Sequence, residues 1–156
     1  MRKALYFGAT LLVLCALNAL IVQKEVLKSS GQVLYLQLDT ADNALVMGNA
    51  VRMVYDFNRT ARPAVNGNGF LVVKLDEHNV GTFARIHAGE PLAADERLLL
   101  YREQYGVVQV GPPMFDIPAG RSSSFSRAKF GELRVSKSGD CLLVGLCDEN
   151  RTPLVR

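Results

Sequence analysis

Serine, lysine, histidine and cysteine are the side chains of this sequence that could do chemistry. Ser29 and Ser30 follow a long apolar run, and Lys74 lies in a predicted strand. A serine hydroxyl activated by a neighbouring amine is a nucleophile, so this order allows the hypothesis of a membrane-bound Ser–Lys hydrolase. The same three residues also fit a helix end and the solvent face of a strand. We favour that second interpretation and expect no catalytic residue.

Two cysteines, Cys141 and Cys147, lie at the two ends of a predicted strand near the end of the chain. Six residues apart in a straight strand, they would point to the same face and lie roughly 20 Å apart. A disulfide needs Cα atoms within about 7 Å. We therefore interpret both as buried apolar side chains, with an intermolecular bridge through Cys147 as the alternative.

The two histidines have few companions that could share a metal. His78 stands beside Asp76 and Glu77, but alternation along a hairpin sends neighbours to opposite sides, and the spacing matches no zinc pattern. His87 has no such neighbour. The sequence predicts a solvated turn at His78, no metal site and no cofactor.

Residues 4–22 contain no charge over nineteen positions, and Asn18 is their only strongly polar side chain. As a helix, this run would be roughly 28 Å long, close to a bilayer core of about 30 Å. We expect an uncleaved transmembrane anchor, with a cleaved signal peptide or a lipoprotein signal as alternatives. Asn18 is a candidate for a hydrogen bond to a neighbouring transmembrane helix.

Basic residues flank both ends of this run, so charge alone barely sets its orientation. The tail 1–3 is easier to leave in the cytoplasm than a folded domain, so we expect the domain outside. Beyond Glu25, 15 of the 18 basic and 14 of the 15 acidic residues remain, which leaves the domain near +1. With no basic stripe interleaved with aromatics, the sequence argues against a nucleic-acid partner.

After a linker at 23–31, residues 32–156 show the period-two pattern of short strands. The patterns predict a mainly β domain of seven or eight strands, either an antiparallel sandwich or a partly open barrel, with one short helix capped by Ser122 or Ser123. Residues 50–57 are predicted as one strand. A small-molecule site in a barrel mouth is a further hypothesis, and its candidate lining residues are Tyr35, Met53, Tyr55 and Phe57.

Two stretches, "LDTADNALVMGNAVRMVYDF" (38–57) and "AKFGELRVSKSGDCLLVGLCDENRTPL" (128–154), resemble the GDYXXLXY family of bacterial membrane-anchored proteins. The namesake motif falls on 48–55, where Met53 replaces leucine and two signature residues are changed. A later Pro-Glu-Gly element has alanine in place of glutamate. The motif positions of this chain are Gly48, Asn49, Ala50, Met53, Tyr55, Gly120, Gly131 and Glu132.

The resemblance implies a single-span protein of the bacterial inner membrane, with its N-terminus in the cytoplasm and its domain in the periplasm. Such proteins are often encoded beside multi-spanning membrane proteins, which implies a partner of that kind. The family brings no established activity or cofactor. We expect a non-catalytic accessory or interaction module of an envelope complex, and expect Gly48 and Tyr55 to be structural, in a turn and in the core.

Overall fold

The computed structural model describes residues 2–39, 46–47, 49–61, 67–104 and 107–154, without the side chains of residues 2–5, 7–10, 46–47, 104 and 122. Within these residues the helices are α1 (Arg2–Ser30), a short 3-10 helix (Asp56–Arg59) and α2 (Ser122–Phe125). The strands are β1 (Gln32–Gln37), β2 (Val46–Met47), β3 (Ala50–Arg52), β4 (Asn68–Leu75), β5 (Val80–Ile86), β6 (Glu96–Gln104), β7 (Val107–Val110), β8 (Met114–Asp116), β9 (Phe130–Val135) and β10 (Cys141–Cys147).

Seven strands form one sheet in the order β10-β9-β1-β5-β4-β6-β7. All neighbours are antiparallel except β1 and β5, which are parallel and pair Tyr35 with Val80. This arrangement confirms a mainly β domain, and the nearly closed sheet agrees with the expected barrel more closely than with a sandwich.

The β9–β10 turn, at one edge of this sheet, is bonded to β6, the neighbour of the strand at the other edge. The backbone N–H of Leu100 in β6 donates to the carbonyl oxygen of Gly139 at 2.8 Å. Gly139 has a φ of 91°, and an added Cβ there would lie 3.1 Å from Phe70 ring carbons. Glycine is therefore needed for both the conformation and the close approach that bring the sheet to near closure.

A second sheet, in the order β2-β3-β8, lies beyond the end of β1. An isolated bridge joins Leu38 to Tyr55, and the backbone N–H of Asp39 donates to the carbonyl oxygen of Val54 at 2.9 Å. Side chains from both sheets form one core. Among its fully buried members are Leu34, Leu36, Leu38, Met53, Tyr55, Leu71, Leu99, Leu133 and Leu146.

Helix α1 leads directly into the barrel, and the predicted linker 23–31 is helical as far as Ser30. Its large apolar side chains from Leu11 to Val26 are exposed, between 52% and 74%. Among the described residues, we find no helix that combines the length and the apolar character needed to cross a membrane. The transmembrane character of residues 4–22 therefore stays a prediction.

Three local predictions were wrong. Residues 50–57 are not one strand, because β3 ends at Arg52 and the chain turns into the 3-10 helix. Neither Ser122 nor Ser123 is the N-cap of α2: Arg121 occupies that position without a side-chain hydrogen bond. Cys141 and Cys147 do not share a face, because a bulge between Leu143 and Gly145 shifts the register.

The hairpin between β4 and β5 follows the prediction. Asn79 has a φ of 61°, so it is the residue of this turn that takes the left-handed conformation. The Asp76 carboxylate accepts hydrogen bonds from the backbone N–H groups of His78 and Val80, both at 2.8 Å. These bonds lower the pKa of Asp76, with the bond from Val80 as the largest cause. His78 is exposed in this turn.

Candidate functional site on the two faces of strand β9

Tyr55 lies inside the barrel and is fully buried. Its ring stacks on that of Phe57, with centroids 5.5 Å apart and planes 12° from parallel. The phenol oxygen has no hydrogen-bond partner among the described residues. Burial raises the pKa of Tyr55 well above its ordinary value, so the phenol stays protonated.

The ring of Tyr55 packs against Gly131 on β9. A Cβ at this position would lie 3.2 Å from the ring carbon Cε1 of Tyr55 and 3.3 Å from its hydroxyl oxygen. Contacts this short are tighter than ordinary packing, so a side chain at 131 would displace the tyrosine. Two motif positions 76 residues apart in sequence, 55 and 131, are thus in direct contact.

Glu132 points to the opposite face of the same strand. Its carboxylate receives a long hydrogen bond from the Arg134 guanidinium at 3.4 Å, and the Cys147 thiol lies 3.8 Å from its second oxygen. Tyr35 pairs with Glu132 across the β1–β9 ladder. We call Tyr35, Glu132, Arg134 and Cys147 the outer-face cluster.

The outer-face cluster holds its thiol in an unreactive state. Burial, followed by the charge of Glu132, raises the pKa of Cys147 to about 12, so the thiolate required of a nucleophile is rare at neutral pH. Burial also raises the pKa of Tyr35, with Glu132 as the next cause. The cluster therefore offers a carboxylate and a guanidinium for recognition more readily than groups for covalent chemistry.

The four proposed ligand-facing residues do not line a common cavity among the described residues. Met53, Tyr55 and Phe57 pack into the core, and Phe57 also stacks on Phe83 with centroids 6.4 Å apart. Tyr35 lies on the outer face of the sheet, on the strand where Leu34 and Leu36 point inward.

The other motif residues serve the small sheet and the turns. Asn49 is exposed, and its carbonyl oxygen accepts a hydrogen bond from the Ile117 backbone N–H at 2.6 Å. Ala50 pairs with Asp116 between β3 and β8. Gly120 has a φ of 78° in the turn before α2, where a Cβ would meet nothing. Gly48 lies outside the described residues.

The residues of the hypothetical Ser–Lys dyad have other partners. The hydroxyls of Ser29 and Ser30 both donate to the carbonyl oxygen of Val26, at 3.1 and 2.7 Å. Lys74 forms an exposed ion pair with Asp95 at 3.4 Å. Among the described residues there is also no group of three histidine, cysteine or acidic side chains that could hold a metal.

Sequence reasoning missed a staple formed by Arg85, Glu90 and Glu96. The Arg85 guanidinium donates to Glu90 at 2.8 Å and is bidentate on Glu96. The two carboxylates also accept hydrogen bonds from the backbone N–H groups of Ala88 and Ala93. The staple fixes loop 87–95 against the sheet. One arginine and three acidic residues within the twelve positions 85–96 were the available signal.

Sequence reasoning also missed a groove between the last turns of α1 and the barrel. Its volume is about 1520 Å³, and its walls come from α1, loop 87–95, β6 and the β9–β10 turn. Asn18 lies on the exposed part of α1, and it is not among the lining residues. The groove depends on contacts between distant segments, so no local pattern could have revealed it.

Among known proteins, this chain matches a sequence family, and the match includes the motif residues described above. No curated protein and no solved structure matches the chain significantly. The sequence model of the GDYXXLXY protein family matches residues 13–146, which is most of the chain and includes Tyr55, Gly131 and Glu132. This protein therefore belongs to the GDYXXLXY family.

Proposed function

We propose that this protein is a single-pass, membrane-anchored interaction module of the bacterial inner membrane, without catalytic function of its own. Residues 4–22 span the bilayer, the short N-terminal tail lies in the cytoplasm, and the β domain lies in the periplasm. Its partner is a multi-spanning membrane protein.

The observation that carries this proposal is the contrast between the surface of α1 and the interior of the barrel. Eight large apolar side chains between Leu11 and Val22 are more than half exposed, on an uncharged sequence run long enough to match a bilayer core. Apolar surface of this extent is unfavourable in water and favourable in hydrocarbon.

The junction between α1 and the barrel supports a fixed position of the domain at the membrane. Gly31 closes the helix through its N–H bond to the Leu27 carbonyl oxygen at 2.9 Å. A Cβ at Gly31 would clash with that same oxygen and lie 3.0 Å from the Cβ of Arg134. A junction this tight leaves no flexible tether, so a membrane-embedded α1 would hold one end of the barrel close to the bilayer.

Alkaline carbonate extraction of membranes tests the anchor. The full-length wild-type chain is expected to stay with the membranes. Leu14→Lys/Leu17→Lys should move to the soluble fraction, because a lysine at the centre of a span costs about 2.5–3.5 kcal/mol. The matched control, Val107→Lys/Met114→Lys, alters two exposed apolar positions of the barrel and should stay with the membranes. Complete extraction of the wild type would refute the anchor.

Spheroplasts test the orientation. A protease added outside should degrade the β domain, because the proposal places it in the periplasm. Protection of the domain until the membrane is lysed would reverse the proposed topology.

Mild-detergent purification at native expression level, with mass spectrometry, tests the role as a module. A stoichiometric multi-spanning partner is expected. Asn18→Leu should weaken its retention, by about threefold to thirtyfold if Asn18 makes an interhelical hydrogen bond worth about 0.6–2 kcal/mol. Leu20→Ala is the matched control on the same helix. A chain that purifies alone would contradict the accessory role.

A further inference from the structure

The groove beside α1 combines leucine side chains with an excess of basic ones. Leucines from both sides line it, including Leu20 on the helix and Leu98, Leu100 and Leu142 on the barrel. The ionisable lining residues are Lys24, Glu96, Arg97, Arg102, Lys137 and Asp140, which are four basic and two acidic side chains.

The two acidic side chains of the groove already have hydrogen-bond partners. Glu96 is bound by Arg85 in the staple, and Asp140 accepts a hydrogen bond from the Ser138 hydroxyl at 2.8 Å. The Arg97 guanidinium donates hydrogen bonds to the Gln32 side chain and to two backbone carbonyl oxygens. The four basic and two acidic side chains give the groove lining a net charge of 4 − 2 = +2, and Lys24, Arg102 and Lys137 are the basic side chains that take no part in these contacts.

Those three basic residues are exposed, and the described part of the chain supplies no hydrogen bond or ion pair to any of their side chains. A phosphate that reached these side chains would break no ion pair of the described residues. Lys24 lies more than one helical turn before the end of α1 at Ser30, so the negative end of the helix dipole is too far away to oppose an anion at its level.

We propose that this groove binds one anionic phospholipid from the adjacent leaflet, with its phosphate among Lys24, Arg102 and Lys137 and an acyl chain along the leucine wall. The inference rests on the proposed membrane anchor, because only a membrane-embedded α1 brings the groove to the level of lipid headgroups. Charge complementarity selects an anionic lipid over a zwitterionic one, and the apolar wall selects a lipid over free phosphate.

Native mass spectrometry of the full-length chain tests this site. The protein is released from micelles that contain equal amounts of phosphatidylglycerol and phosphatidylcholine, and the bound lipid is identified. Phosphatidylglycerol should be retained in preference. Because each basic residue near an anionic headgroup contributes about a fivefold factor, Arg102→Gln/Lys137→Gln should lower that preference by about 25-fold.

A matched control separates the groove from general charge. Arg52→Gln/Lys129→Gln removes two exposed basic side chains outside the groove lining and should keep the wild-type preference. Thermal unfolding of both double variants checks that the barrel is intact.

Equal retention of the two lipids by the wild type would overturn the inference, as would an equal loss in the control variant. Displacement of phosphatidylglycerol by millimolar inorganic phosphate would show an anion site without a lipid site. A second polypeptide that stays bound and excludes lipid would show that the groove is a protein interface. Each of these results can occur with a chain that resists carbonate extraction, so the lipid site can fail while the anchor stands.

Discussion

Helix α1 and the barrel are both rich in leucine and valine, yet these side chains are buried in the barrel and exposed in α1. In the barrel, Leu34, Leu36 and Leu133 are at most 1% exposed. In α1, Leu12 is 74% exposed and Leu17 is 52% exposed. The barrel removes its apolar surface from water by folding on itself, whereas α1 does not.

This difference in leucine exposure indicates which interactions stabilise each segment. Burial of a leucine side chain contributes about 1.5–3 kcal/mol, and in the barrel that contribution comes from the fold itself. In α1 the same contribution requires a hydrocarbon environment outside the protein, which the proposed bilayer supplies. A substitution should therefore affect folding in one region and membrane partition in the other.

Leu36→Ala is the largest expected effect. Leu36 is fully buried, and a Cβ built on Gly81 would lie 3.3 Å from its side chain. Truncation of the leucine side chain therefore leaves a cavity. The free energy of unfolding should fall by about 2–5 kcal/mol, measured by denaturant titration of the full-length protein in detergent. The control is Leu17→Ala in α1, which should leave it unchanged within about 0.5 kcal/mol. Equal losses would break the comparison, because α1 would then belong to the folding core.

Gly131→Ala is expected to come next. Its methyl group would meet the Tyr55 ring at 3.2 Å, and overpacking of this kind costs about 1–3 kcal/mol. Ala19→Leu in α1 adds a larger group at an exposed position and should not change the stability of the barrel. If Gly131→Ala unfolds at the wild-type denaturant concentration, the contact between Tyr55 and Gly131 does not constrain the family motif.

Much of the barrel could be predicted because its signals are local. Alternation of apolar residues located β9 and β10, and the turn predicted at His78 located the β4–β5 hairpin. The inward position of Tyr55 followed from the same alternation. The two motif stretches, 38–57 and 128–154, were also enough to indicate the family, because their residues are close together in sequence.

The remainder depended on contacts between distant residues. The parallel pairing of β1 with β5, and the near closure through Leu100 and Gly139, involve segments tens of residues apart in sequence. A single inserted residue at the β10 bulge sent Cys147 to the face opposite Cys141. Gly145, a glycine inside a strand, was the local signal of that bulge. The outer-face cluster and the groove combine several of these distant contacts.

The Arg85 staple should make the barrel lose stability in acid. The hydrogen bond from its own backbone N–H, then the Arg85 guanidinium, lowers the pKa of Glu90 to about 2, and Arg85 is the largest cause of a lowered pKa at Glu96. Because both folded pKa values lie below the unfolded value of about 4.3, this stabilisation is complete above that pH and is lost as pH falls toward 2.

Thermal midpoints of the wild type and Arg85→Met at pH values from 6 to 2 measure this effect. The variant should be less stable at pH 6, and the difference should shrink in acid. Lys74→Met removes the exposed ion pair to Asp95 and only the smallest of the causes that lower the pKa of Glu96, so it should change the shape of the pH profile much less. A constant difference between wild type and Arg85→Met at all pH values would exclude the staple as its source.

Tyr55→Phe should have the smallest effect and sharpens the comparison inside the barrel itself. The hydroxyl is buried with no partner among the described residues, so its removal breaks no described hydrogen bond and relieves a desolvated polar group. The free energy of unfolding should stay within about 1 kcal/mol of the wild type, on the more stable side, while the stacking on Phe57 is preserved. A loss of more than that would contradict an unpartnered hydroxyl and show that it makes a stabilising hydrogen bond, in addition to the ring packing of Tyr55.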